Sequence, residues 1–208
     1  MRHAKMLALA AVAVGALMAF IGAGSASATV ICSTTVEPCP AGQKWTGSIS
    51  MTVPSGGRTD LVTTSNESLD SCTGSESAGP ITNSGSSTTT VTYPVETLSW
   101  SSCTFPTVTI TKGKLEVHRI AGTHNGTVTA DGTFEWTINT VFFGSCIYGL
   151  TSGNSVGDLT EGKPGVLHLN AVSEKFAGSA FACPSTSKWT GTYVVTSPAN
   201  TTMSIQDS

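Results

Sequence analysis

The chain has 208 residues, 39% of them hydrophobic and only 11% charged, with a formal net charge of −3 at pH 7. A phosphate-binding surface needs clustered lysine and arginine, and the 10 basic residues here are scattered, so nucleic acid is excluded as a partner. Ser and Thr make up roughly a third of residues 29–208, a composition that suits exposed strands better than helices.

Residues 1–28 have the organisation of a secretory signal peptide. A positive start precedes an apolar run over residues 6–21, and Ala26-Ser27-Ala28 is a small-residue cleavage signature. We predict cleavage after Ala28, which leaves a secreted domain over residues 29–208 with a net charge of −5, because two basic residues are removed. No later stretch approaches the roughly 20 apolar residues of a membrane span, so no span is expected after cleavage.

The segment GSISMTV, residues 47–53, places its three large apolar residues on one face of a predicted strand. Residues 54–57 predict a turn into a second strand at 58–64. The segment VTYPVETLSW, residues 91–100, is predicted to be extended, with Pro94 in an edge position.

Two hairpins are predicted in the middle of the chain. In residues 107–120, two alternating segments would pair across a Lys-Gly turn. In GTVTADGTFEWTI, residues 126–138, a three-residue loop with a left-handed Gly132 would set Val128 opposite Phe134, which keeps apolar residues together.

The last part of the chain combines one irregular segment with further strands. Residues 148–165 are rich in glycine and predict a long loop. Strands are predicted at 166–172, 176–183 and 190–197, with a short one at 201–205. Because no stretch after the signal peptide has sustained helical periodicity, we predict a single-domain, all-β, antiparallel β-sandwich or barrel of many short strands.

Six cysteines, an even number, lie in the predicted secreted domain: Cys32, Cys39, Cys72, Cys103, Cys146 and Cys183. In an oxidising compartment this predicts three disulfides, although sequence alone permits many connectivities. We favour pairing of sequence neighbours, Cys32 with Cys39, Cys72 with Cys103 and Cys146 with Cys183. A metal or redox site would show close cysteine pairs or cysteine near histidine, and neither occurs here.

The favoured second disulfide also bears on domain number. Residues 78–90 have the composition of a flexible linker. Because the bond between Cys72 and Cys103 would close over them, we expect a surface loop within one domain.

One pattern occurs twice. CPAGQKWTGSISMTVP, residues 39–54, is echoed by CPSTSKWTGTYVVTSP, residues 183–198. We interpret each copy as a disulfide-pinned corner whose tryptophan enters the core. The alternative is that Trp45 and Trp189 bind a ligand.

The candidate binding residues are the four tryptophans, Trp45, Trp100, Trp136 and Trp189. Modules that bind polysaccharide often present an aromatic platform to a sugar, and an exported protein meets such polymers. Tryptophans near strand starts more commonly pack in the core, so both interpretations stay open.

A serine-hydrolase motif is present but lacks its context. Residues 153–157 match G-x-S-x-G, and Asp158 and His168 follow in hydrolase order. The motif acts only on a strand-turn-helix, and no helix is predicted after it. A small secreted hydrolase is therefore the less favoured alternative.

Metal and carboxylate chemistry are equally weakly supported. His118 and His124, with Glu116 and Asp131 nearby, could form a metal site, but their spacing fixes no shared face. The carboxylates available for glycoside hydrolysis are no more numerous than in any acidic sandwich: Glu116, Asp131, Glu135, Asp158, Glu161 and Glu174. We assign no catalytic residue, metal or cofactor.

The stretches KGKLEVHRIAGTHNGTVT, SCIYG, FACPSTSKWTGTYVVTSP and ICSTTVEPCPAG resemble a set of uncharacterised small secreted proteins found in actinobacteria. The resemblance covers most of residues 29–208, cysteine positions included. It implies export, an all-β fold and the six-cysteine framework, and it implies no activity.

The sequence as a whole favours a non-catalytic secreted or cell-surface structural or interaction protein. Its partner is unknown, with cell-wall polysaccharide or a surface protein as the candidates. The alternative from another class is a carbohydrate- or cell-wall-binding module.

Overall fold

The computed structural model describes residues 28–83, 90–104, 107–140, 144–178 and 183–208. Three predicted features lie wholly or partly outside the described residues: the signal peptide up to residue 27, residues 84–89 of the surface loop and residues 179–182 of the strand at 176–183.

The described residues form 14 strands and one short 3-10 helix, Ala41–Gln43, which confirms the all-β prediction. The strands are β1 Thr29–Cys32, β2 Ser48–Thr52, β3 Thr59–Val62, β4 Ser68–Pro80, β5 Val91–Val95, β6 Thr97–Cys103, β7 Thr107–Arg119, β8 Gly126–Ala130, β9 Phe134–Thr140, β10 Gly144–Leu150, β11 Ser155–Thr160, β12 Val166–Ala177, β13 Thr186–Ser197 and β14 Ser204–Asp207. All their pairings are antiparallel.

The strands from β2 to β13 form one sheet that closes on itself. The sheet contains four long strands, β4, β7, β12 and β13, and pairs of short strands that lie end to end, such as β2 with β3 and β8 with β9. The long strands β12 and β13 pair directly with each other. If each end-to-end pair is counted as one strand, every strand pairs with the next one in chain order. The last strand, β13, pairs with β2 and β3 and so closes the sheet. Of the two predicted architectures, the structure therefore has the barrel, with consecutive strands as neighbours.

The predicted hairpin in residues 107–120 is wrong. β7 runs straight through Lys112 and Gly113, because β5 pairs along it and places Val95 opposite Gly113. The glycine is needed for packing rather than for a turn: a Cβ at Gly113 would lie 1.7 Å from a ring carbon of Phe134.

The predicted hairpin in residues 126–138 is also wrong. Val128 lies opposite Val117 of β7 instead of Phe134, because β8 and β9 both pair with the long β7. Asp131 and Gly132 form an interruption between two collinear strands, and Gly132 has the predicted left-handed conformation, with φ of 84°. The backbone N–H of Asp131 donates to the carbonyl of Lys114 at 2.8 Å, which ties the interruption to β7.

The predicted loop over residues 148–165 contains the end of β10 and the whole of β11, so that prediction is wrong as well. β10 extends to Leu150 and β11 begins at Ser155. Glycines in this segment allow close approach: a Cβ at Gly149 would lie 2.2 Å from the Phe176 ring, and one at Gly157 would lie 2.1 Å from the carbonyl of His168.

Several local predictions are confirmed. Residues 49, 51 and 53 are buried on one face of β2, and the N–H of Gly57 donates to the carbonyl of Pro54 at 2.8 Å in the predicted turn. Pro94 lies on β5, whose side away from β7 meets the chain after β4 through a single bridge between Thr82 and Thr92. A proline is tolerated there because few hydrogen bonds are made on that side.

The barrel interior is filled by the protein's own side chains. Two cavities of about 30 Å³ each remain, lined almost entirely by apolar groups, and Met51, Leu115 and Leu167 border both. A volume of about 30 Å³ matches one water molecule, and apolar cavities of this kind stay dry. The interior of the described barrel therefore offers no room for a small-molecule ligand.

A separate two-stranded sheet of β1 and β14 covers one end of the barrel. The N–H of Ile205 donates to the carbonyl of His124 at 2.9 Å, which joins this sheet to the turn between β7 and β8. Asn83 hydrogen-bonds both the N–H and the carbonyl of Ile31 and also the carbonyl of Trp45.

The three favoured disulfides are confirmed: Cys32–Cys39, Cys72–Cys103 and Cys146–Cys183. No cysteine is free. The Cys32–Cys39 bond fixes the loop beside the two-stranded sheet, whereas the other two lie toward the opposite end of the barrel.

The three tyrosines of the chain, Tyr93, Tyr148 and Tyr193, are all buried. Desolvation disfavours the phenolate, which raises the pKa of Tyr93 and Tyr148 to about 12 and raises the pKa of Tyr193 as well. Since these values exceed the ordinary 10.0, the folded state holds more protons, and stability falls as pH rises from about 10 to about 12.

We expect ultraviolet titration of the folded protein at about pH 10 to show little phenolate, whereas protein in guanidinium chloride should be about half ionised. The denatured sample serves as the control. Half-ionisation of the folded protein at that pH would contradict the burial of the tyrosines.

Candidate functional site

Ionisable side chains converge at the barrel end covered by β1 and β14. We call this site the His124 cleft; it is an open cleft of about 430 Å³ lined by Glu37, Arg119, Gly122, Thr123, His124, Asn125 and Glu161. Arg119 ends β7, His124 lies in the following turn, and Glu161 follows β11. Glu37 belongs to the loop closed by the Cys32–Cys39 disulfide.

The turn that carries His124 is fixed by its own hydrogen bonds. The N–H of Ile120 donates to the carbonyl of Asn125 at 2.9 Å, and both the N–H and the hydroxyl of Thr123 donate to the carbonyl of Ile120. Gly122 has φ of 75°, a left-handed conformation that glycine adopts without strain. The turn therefore holds His124 in a defined place.

Carboxyl groups flank one imidazole and one guanidinium group across the cleft. His124 approaches Glu161 through Nδ1 at 2.9 Å and Glu37 through Nε2 at 3.3 Å. Arg119 contacts Glu37 and Asp207 at 2.5 Å each, and its Nε donates to the carbonyl of Thr123 at 2.8 Å. Three carboxylates thus face one guanidinium and one imidazole, which leaves an excess of negative charge.

The polar side chains of the cleft are engaged with one another. Both ring nitrogens of His124 face carboxyl groups. The hydroxyl of Thr123 is engaged with a backbone carbonyl. Because Glu37 and Glu161 lie at different nitrogens of one ring, the three groups do not aim at a common point, as metal ligands must.

The predicted metal and carboxylate candidates are dispersed. His118 hydrogen-bonds Thr129 at 3.1 Å and lies 3.6 Å from Glu116, while Asp131 forms an ion pair with Lys114. Glu135 lies on β9, and Glu174 is exposed on β12. The structure brings only Glu161 of the acidic candidates to His124.

The G-x-S-x-G match lies on a turn and a strand. Ser155 begins β11 and pairs with Thr129, whereas Asp158 pairs with His168 on the neighbouring β12. No helix follows Gly157, so the strand-turn-helix that exposes a hydrolase serine is missing from this described segment.

The tryptophans do not share a surface. Trp45, Trp136 and Trp189 are at most 5% exposed, and the half-buried Trp100 packs against Trp189 with ring centroids 5.3 Å apart. The indole of Trp189 donates to the hydroxyl of Thr59 at 2.7 Å. Burial of Trp45 and Trp189 supports the core interpretation of the repeated pattern.

Sequence reasoning missed the His124 cleft. His124 and Glu161 were candidates for separate chemistries, and Glu37, Arg119 and Asp207 carried no signal because the residues lie far apart in the chain. Only the closure of the sheet and the pairing of β1 with β14 bring them together.

Comparisons with protein families, with curated proteins and with solved structures find no match to this chain. Among the described residues, no helix is long and apolar enough to cross a membrane.

Replacing Arg119 by methionine is expected to lower the free energy of unfolding by about 2 kcal/mol, because the side chain is largely buried and its loss removes the guanidinium that Glu37 and Asp207 share. Chemical denaturation measures the change. The matched control is Arg58→Met, since Arg58 is 68% exposed and, among the described residues, forms its ion pair with Asp60. Equal effects of the two substitutions would contradict a stabilising role for the ion pairs of Arg119.

Proposed function

We propose that this protein is an exported, non-catalytic interaction protein that binds a basic partner protein at the cell surface through the His124 cleft. The observation that carries the proposal is the division of the molecule into a filled apolar interior and a charged end. Because the interior cavities measure only about 30 Å³ each, function belongs to the outer surface.

Export is supported by the signal-peptide pattern of residues 1–28 and by the three disulfides. Disulfides of this number form and persist in oxidising compartments. The resemblance to secreted actinobacterial proteins points in the same direction.

Exposed apolar residues next in sequence to two cleft residues support a protein partner. Val36, which precedes Glu37, is 61% exposed, and Ile120, which follows Arg119, is 37% exposed. Exposed apolar residues near charged groups are typical of interaction sites. The excess of carboxylates in the cleft complements a lysine or arginine of the partner, and such complementarity directs association.

The test uses immobilised, oxidised protein and solubilised surface proteins from the source organism. We expect retention of a basic protein that weakens with salt and is lost in the double variant Val36→Ser/Ile120→Ser. The matched control is Val172→Ser, because Val172 is 51% exposed but lies on β12. Equal retention by all three proteins, or covalent labelling of Ser155 by a fluorophosphonate probe, would refute the proposal.

A second candidate function, binding of cell-wall polysaccharide, rests on Phe176. Its ring lies over Gly149 and is 40% exposed on the outer face of β12, where a flat aromatic surface can stack on a sugar ring. Retention on insoluble polysaccharide that is lost in Phe176→Ala would favour this function over the first.

A further inference from the structure

We propose that the Cys72–Cys103 disulfide is an exchange site for dithiols, whereas the other two disulfides are permanent structural bonds. The inference goes beyond the proposed function and does not depend on it. Two features distinguish this bond from the others: its exposure and its place in the sheet.

Exposure separates Cys103 from the other cysteines. Five of the six are buried: Cys32, Cys39, Cys72, Cys146 and Cys183. Cys103 alone among them is partly exposed, at the end of β6. Because thiol exchange requires a thiolate to reach one sulfur of the bond, solvent access favours attack at Cys103.

The place of the bond in the sheet allows it to open without unfolding. Cys72 and Cys103 lie directly opposite each other on β4 and β6. The same two strands remain paired from Gly74 with Ser101 to Ala78 with Thr97. Reduction would therefore release the end of the pair and leave the remaining backbone pairing in place. The Cys146–Cys183 and Cys32–Cys39 bonds, in contrast, each join two buried cysteines.

The exchange proceeds in two displacements. One thiolate of the dithiol attacks the sulfur of Cys103, the disulfide breaks, and the sulfur of Cys72 leaves and takes the proton of the dithiol's second thiol. The second thiolate of the dithiol attacks the mixed disulfide and releases the thiolate of Cys103. The bond gains two electrons, and the dithiol becomes a disulfide.

The test treats the folded, oxidised protein with dithiothreitol in one arm and with reduced thioredoxin in the other. Newly formed thiols are alkylated over time and assigned by peptide mass spectrometry. We expect Cys72 and Cys103 to be labelled about tenfold faster than the other four cysteines in at least one arm, since the rate follows access to sulfur. Labelling in the first arm alone assigns a small dithiol as the reductant, and labelling in both assigns a protein dithiol as well.

Simultaneous labelling of all six cysteines, or earlier labelling of either other pair, would overturn the proposal.

Discussion

Substitution of Trp136 by alanine is expected to lower the free energy of unfolding by about 3–5 kcal/mol. Trp136 is fully buried and packs between Phe134 and Trp189, with ring centroids 6.2 Å and 5.6 Å away. Removing the indole leaves a cavity that the neighbouring rings do not fill. Both the free energy of burying the indole and its packing contacts with the cluster are therefore lost. Urea unfolding followed by circular dichroism measures the effect.

A second substitution at Trp136 sharpens this prediction. Its Nε1 has no hydrogen-bond partner in the described part of the chain, so Trp136→Phe removes a buried N–H while keeping most of the ring. We expect a cost below about 1.5 kcal/mol for this variant. Val36→Ala, at a 61% exposed position, is the surface control; a comparable loss in all three variants would show that the tryptophan cluster is not the centre of the core.

Removal of the Cys146–Cys183 bond by a double alanine substitution is expected to cost about 4 kcal/mol, because the unfolded chain regains the entropy of a long loop. The bond closes 37 residues, whereas Cys32–Cys39 closes only seven. The matched double alanine variant of Cys32 and Cys39 should cost about 2 kcal/mol. Thermal and urea unfolding under non-reducing conditions measure both values, and a larger loss for the shorter loop would contradict the entropic account.

The buried face of β2 could be predicted from the sequence because it depends on local alternation in residues 47–53. The disulfide pairing could be predicted because each cysteine pairs with the next one along the chain. The repeated pattern favoured Trp45 and Trp189 as core residues but left ligand binding open, and only the structure shows that both are buried.

The course of the long strands could not be predicted in this way. A glycine beside a polar residue predicts a turn, but at Gly113 the missing side chain makes room for Phe134 instead. β4 gave no strand signal because its buried positions include the small polar residues Ser75 and Ser77, which hydrogen-bond the hydroxyls of Tyr193 and Tyr93. These partners are distant in sequence, so no local pattern reveals them.

The closing contact of the barrel has a consequence for how the chain acquires its structure. One side of β2 pairs with β13, and β1 pairs with β14, which lies near the opposite end of the chain. Contacts of such wide sequence separation are formed slowly, since much chain entropy is lost before they contribute. Under the export proposed above, a polypeptide emerging from a translocation channel amino-terminus first could not complete this fold until nearly all of it had passed through. We therefore expect it to cross in an unfolded, protease-sensitive form and to fold only afterwards.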